Sequence, residues 1–199
     1  MDDDRFPLHK FSPTVPVTLN RLRQARKLGS SDGIICYYGV CHDIYNDYET
    51  MMAVLWNPTI RKSVGIVIPN VKDMTYGCVV IGFGVCPNTS DSKLVKIITH
   101  IHKSVTKLVN CVSWEVEVFT LSSGDCRSLS IEIPFKPVRL LLGHVFINGV
   151  IYFHGFDAID FGHENRHNRI ISFDLKSEEF GEAFLPDSLA HSTEYLSVL

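Results

Sequence analysis

The chain has 199 residues, 45% hydrophobic and 21% charged, a balance that supplies the apolar material for one globular core. Nineteen Lys and Arg against 22 Asp and Glu give a formal net charge of -3 and a pI near 6.3, which leaves no overall basic field for nucleic acid or an acidic membrane. No apolar run reaches the roughly 18 residues that a bilayer-spanning helix needs.

The opening Met1-Asp2-Asp3-Asp4-Arg5 is acidic, and Pro7, Pro13 and Pro16 follow it. There is no basic segment leading into an apolar one, so the expectation is a soluble protein of the cytoplasm, the nucleus or both. Residues 1–24 read as a tail or linker and 25–199 as one domain. Cys36, Cys41, Cys78, Cys86, Cys111 and Cys126 form no C-x-x-C pair, which in an intracellular chain implies reduced thiols and no disulfides.

Leu19 to Lys27 is the one stretch of helix-like composition, and it is short. Its basic residues, Arg21 to Lys27, read as a solvated face, since one such run is not a nucleic-acid footprint. Beyond it, alternating or β-branched runs lie between Gly, Pro, Asn, Asp and Ser punctuation, so the class is all-β. Asp32-Gly33 before Ile34-Ile35-Cys36-Tyr37-Tyr38 parallels Asn148-Gly149 before Val150-Ile151-Tyr152-Phe153, each dipeptide suiting a tight hairpin turn.

A strand, a polar turn, a second strand and a proline then recur three times. The copies begin at Val54-Leu55-Trp56-Asn57, at Val116-Glu117-Val118-Phe119 and at Ile170-Ile171-Ser172-Phe173, and they end at Pro69, Pro134 and Pro186. Cys78 to Phe83 and Lys93 to Ile98 are further strands. Gly82-Phe83-Gly84 reads as strand glycines that allow close packing, and Asn88-Thr89-Ser90 as a turn despite matching a glycosylation sequon. The result is a partial β-propeller-like array of about three four-stranded antiparallel blades, with Leu196 to Leu199 opening another. Propellers close with about four or more blades, so the expectation is a domain incomplete at its C-terminus.

These motifs resemble, in order, those of the associated domain that follows the F-box in plant F-box proteins, a kelch-related propeller-like domain. The resemblance is carried by Gly29-Ser30-Ser31-Asp32-Gly33, Leu55-Trp56-Asn57-Pro58-Thr59-Ile60-Arg61-Lys62 and Gly82-Phe83-Gly84-Val85-Cys86-Pro87 with Lys93 to Ile97. It continues through Glu115 to Leu121, Val145-Phe146-Ile147-Asn148-Gly149 and Ser172-Phe173-Asp174-Leu175 through Phe180, covering about residues 25 to 199. Residues 1–28 are too short and proline-rich for an F-box, and Tyr152-Phe153-His154 departs from the aliphatic and Trp pattern usual in the family. The resemblance implies a non-catalytic module that recognises a target protein for a cullin-type ubiquitin ligase. The Skp adaptor and cullin would be reached only through an F-box outside this chain, with no nucleic acid or membrane partner. A fragment of a propeller-type enzyme, or an interaction scaffold outside ubiquitination, is the alternative.

No residue set demands a cofactor or a metal. His100 with His102, and His163 with His167, lack a third ligand at a recognisable spacing and read as solvent-facing histidines. Adjacent Cys41-His42-Asp43 cannot converge as a nucleophile, base and orienter. Trp56, Phe119, Phe173 and Phe180 occupy corresponding module positions and read as core. In every module the connection between the second and third strands is long: Gly39 to Thr50, His100 to Ser113 and Gly155 to Asn168. Long loops on one face of a rigid scaffold carry binding, and the candidates for partner contact there are His42, Asp43, Tyr45, Tyr48, Phe156, Asp157, Phe161, His163 and Arg166.

Overall fold

The structure, a computed structural model, describes residues 15–42, 49–68, 77–102, 111–130, 138–157 and 167–190. Within these, three four-stranded antiparallel sheets follow one another along the chain, each a simple meander with neighbours in sequence order. Blade 1 comprises β1 (Leu22–Ser31), β2 (Ile34–His42), β3 (Glu49–Asn57) and β4 (Lys62–Ile68). Blade 2 comprises β5 (Gly77–Cys86), β6 (Asp91–His102), β7 (Cys111–Thr120) and β8 (Cys126–Leu129). Blade 3 comprises β9 (Val138–Ile147), β10 (Val150–Asp157), β11 (Asn168–Asp174) and β12 (Phe180–Ala183). Two single-turn helices flank them, α1 (Val17–Asn20) and α2 (Asp187–Ala190).

The helix-like composition at Leu19 to Lys27 does not make a helix there: α1 stops at Asn20, and Leu22 onward is β1. Isolated helices of under about 12 residues are marginal, whereas Leu22 is buried and the strand has a ladder partner in β2. Propensity yields to tertiary pairing.

The turns are chemically specified. Asp32-Gly33 and Asn148-Gly149 all have positive φ, 47 and 74° in the first pair and 49 and 86° in the second, as a two-residue hairpin with right-handed strand twist requires. Between the third and fourth strands, Asn57 Oδ1 accepts from the Thr59 and Ile60 amides (3.0 and 3.3 Å), and Asp174 Oδ1 accepts from those of Lys176 and Ser177 (2.7 and 3.2 Å). The same side-chain turn thus recurs in blades 1 and 3. Residues 87–90 form the β5–β6 turn, closed by Ser90 N–H donating to the Cys86 carbonyl at 2.8 Å.

Strand alternation sorts blade 2 between its neighbours. Val80, Val95, Ile97, Val116 and Val118 pack with Ile151, Phe153, Ile171 and Phe173 of blade 3. Ile81, Phe83 and Leu94 point the other way, against Cys36, Ala53 and Leu55 of blade 1. Gly82 and Gly84 are the blade-3-facing residues between them. A Cβ on Gly82 would lie 2.7 Å from Phe153 Cζ and 2.9 Å from Ile151 Cγ2, and one on Gly84 would collide with Phe146. The two glycines are what allow β5 to approach blade 3. An ion pair adds to the same junction: Lys93 Nζ on β6 donates to Glu178 Oε1 at 2.7 Å and to the Leu175 carbonyl at 3.1 Å, and Arg127 on β8 also holds Glu178.

Candidate functional site

The first strands of the three sheets, β1, β5 and β9, belong to different ladders yet lie side by side. They converge as the innermost strands of propeller blades do around an axis. Where they meet is a funnel of about 470 Å³. Arg26, Lys27 and Ser30 border it from β1, Tyr38 from β2, Val79 and Ile81 from β5, and Leu142 and His144 from β9. Arg26, Lys27, Ser30 and Leu142 are exposed, so the space communicates with solvent.

His144 fixes the junction. Its Nε2 lies 3.1 Å from the Phe83 amide nitrogen, whose N–H it accepts when that ring nitrogen is unprotonated, and 3.3 Å from the Phe83 carbonyl oxygen. An inner-edge backbone group of β5, outside any ladder to β9, is thereby satisfied by a side chain. Burial pushes the His144 pKa below the ordinary imidazole value, opposed by contact with the backbone of Phe83 and Ile81. The ring is therefore neutral at physiological pH. Gly29 of β1 lies against it, a Cβ there falling 3.5 Å from Nε2.

The polar character of the funnel is one-sided. Among the described residues no Asp or Glu borders it, and neither Arg26 nor Lys27 has an ion-pair partner. β1 is also irregular at this point. Gln24 has φ 51°, and the register steps from Arg23↔Val40 to Arg26↔Tyr38, then from Lys27↔Tyr37 to Gly29↔Cys36. Each step inserts one unpaired residue in β1, a bulge on either side of the Arg26-Lys27 dipeptide.

Of the partner-contact candidates, Asp43, Tyr45, Tyr48, Phe161, His163 and Arg166 lie outside the described residues. His42 is the last residue of β2. Phe156 and Asp157 end β10, and both are engaged within blade 3. The Arg139 guanidinium stands 6.0 Å from the Phe156 ring centroid, and Asp157 is clamped by Arg169, which also holds Glu182. The hydrogen bond that Arg169 donates to Asp157 leads the causes that raise the Arg169 pKa. His100 Nε2 on β6 lies 3.1 Å from Glu115 Oε1 on β7, a diagonal contact in a ladder that pairs His100 with Ser113. Among the described residues, no three His, Cys, Asp or Glu side chains are placed to share a metal ion.

Arg26, Lys27 and His144 were not among the sequence candidates. The signal for the first two was available: a basic run in the first strand of a blade falls on the strand that lines the axis. His144 carries no such signal, because its role depends on β9 lying against β5.

Among the described residues, a solvent-connected funnel thus lies between the inner strands of three propeller-like blades. A family model described as the F-box associated beta propeller domain matches residues 9–196, and the chain belongs to that family. No curated protein and no solved structure matches the chain.

Proposed function

We propose that this chain is the target-recognition module of a plant SCF-type ubiquitin ligase. It grips a target protein and does no chemistry itself, while other subunits transfer ubiquitin. The Skp adaptor and the cullin are reached through an F-box, and the working compartment is the cytoplasm, the nucleus or both. Membership of the F-box associated family carries this reading. It is supported by a scaffold whose blades pack through a shared core, with an open funnel between its inner strands.

Reconstitution tests it. The full chain is immobilised, captured plant proteins are identified, and an F-box is fused ahead of the chain together with purified Skp adaptor, cullin and ubiquitin-conjugating enzymes. Ubiquitination of a captured protein by the fusion, but not by the F-box alone, is the expected result. Capture without ubiquitination would instead favour a scaffold outside the ligase system.

A further inference from the structure

We propose that the axial funnel takes an extended acidic segment of a partner protein, its carboxylates meeting Arg26 and Lys27 and one aliphatic side chain entering beside Val79, Ile81 and Leu142. The inference rests on the recognition reading above and names the chemistry of what is recognised.

Charge is the first ground. The chain is net negative, yet residues 21–31 hold Arg21, Arg23, Arg26 and Lys27 and no acid. Surface cations in folded proteins are ordinarily interspersed with carboxylates. Here two neighbouring cations border a cavity with no carboxylate in its wall and no ion-pair partner among the described residues. Like charges side by side in a semi-enclosed space repel, and a ligand carrying the opposite charge relieves that repulsion and is steered in.

Backbone geometry is the second. β1 is the inner edge strand of its sheet and lines the funnel along that edge, so the adjacent Arg26 and Lys27, whose side chains leave opposite faces of the strand, both border the same space. The bulges on either side of the pair bend the strand there, as bulges beside functional sites do.

Size and lining select the class of ligand. About 470 Å³ lies within the range of roughly 300–1,000 Å³ typical of ligand pockets, enough for a few side chains and too small for a folded domain. Leu142, an exposed aliphatic residue at 57% exposure, sits beside the cations and gives an apolar contact that a purely ionic site would lack. Single-stranded nucleic acid, the competing polyanion, needs stacking platforms. Among the described residues the aromatic rings bordering the funnel are Tyr38, which packs against the core between blades 1 and 2, and His144, which is held by the Phe83 backbone.

The test uses the full chain and a fluorescent, terminally blocked pentapeptide of alternating Asp and Glu around a central Leu, read by anisotropy against the same peptide with Asn and Gln. The acidic peptide is expected to bind at least about tenfold more tightly, with the preference shrinking as NaCl rises from about 0.05 to about 0.3 M. The double variant Arg26→Glu/Lys27→Glu should reverse the preference toward a Lys-substituted peptide. The exchange Arg26→Lys/Lys27→Arg, which keeps both charges, should retain it. A structural role for these side chains would not produce a reversal of sign, and a shared unfolding midpoint checks that the variants fold. Equal binding of the acidic and amide peptides, an unchanged preference in the charge-reversed chain, or tighter binding of an oligothymidylate would overturn the proposal. If the charge-reversed chain still captures the same plant protein in the reconstitution, the funnel proposal fails while the recognition reading stands. If the wild-type chain binds the peptide yet supports no ubiquitination, the recognition reading fails alone.

Discussion

Gly82 and Gly84 show how much one missing methyl group decides. Both lie on the β5 face that meets blade 3, where their flanking residues Val80 and Cys86 are buried. Phe153 and Ile151 already fill the space a side chain would take, and Phe153 is fully buried with no room to withdraw. Gly82→Ala is therefore expected to destabilise the protein by about 1–3 kcal/mol through overpacking. A urea unfolding midpoint checks it, and an unchanged midpoint would mean that the blades part easily. Thiol chemistry follows the same local logic. Burial pushes the Cys36 thiol well above its ordinary range, so it is inert. At Cys86 burial acts upward too, but hydrogen bonds from Thr89 and Asn88, with Lys93 nearby, outweigh it and lower the pKa.

At the scale of the element, β3 is informative because its counterparts in the other blades are known. Trp56, Phe119 and Phe173 each precede the turn to the fourth strand, and Phe180 is the cross-strand partner of Phe173 in β12. Phe119 faces blade 1 and Phe173 faces blade 2, each toward the preceding blade. Trp56 follows the same rule, since Leu55 and Ala53 face blade 2 and Trp56 and Val54 point away from it. Even so, Trp56 is only 6% exposed. Its indole N–H is buried without an acceptor among the described residues, so the side chain contributes through its apolar surface. Trp56→Ala is expected to cost about 3–5 kcal/mol, and Trp56→Phe distinctly less, because no hydrogen bond to the ring is lost. Equal losses in thermal unfolding would show that the N–H has a partner.

The whole molecule is held by two inter-blade cores and by the Lys93–Glu178–Arg127 clamp between blades 2 and 3. Burial acts to raise the Glu178 pKa, but the hydrogen bonds from Lys93 and Arg127 more than offset it and lower the value. A carboxyl with a depressed folded-state pKa contributes its full stabilisation above the unfolded value of about 4.3 and loses it as pH falls through the depressed value. Glu178→Gln should therefore lower stability at pH 7 and weaken the dependence of stability on acid below that range, as measured by urea unfolding across pH. An acid dependence identical to that of the parent would exclude the clamp as its source.

The outer edges make a second molecular-scale prediction. β8 and β12 span four residues each, but β4 spans seven, pairs among the described residues only with β3 and exposes Val64 and Val67 at 39% and 57%. A long apolar edge templates strand pairing between molecules. Self-association that grows with concentration is expected, and Val67→Lys should suppress it in size-exclusion chromatography. An unaltered elution profile across concentrations for the parent chain would remove β4 as a sticky edge.

Several features were fixed locally and were therefore legible in the sequence. Asp32-Gly33 and Asn148-Gly149 dictate their hairpins because positive φ is a property of those residues, and Asn57 and Asp174 close their turns with their own side chains. The β-branched run Cys78 to Phe83 and the unit beginning at Val116-Glu117-Val118-Phe119 announced strands, and the recurrence of such units announced blades. Tertiary structure decided what depends on neighbours distant in sequence. Leu19 to Lys27, helix-like by composition, runs from Leu22 onward as part of an inner strand because β2 offered a ladder. The same contact turned a basic run that reads as a solvated face into the wall of a funnel. His144 acquired its role only when β9 came to rest against the inner edge of β5, and Asp157 gained its ion pair only when β11 brought Arg169 beside β10. Local backbone preference can be read residue by residue, whereas charge, burial and hydrogen-bond partnership belong to pairs that only the packing of the three sheets brings together.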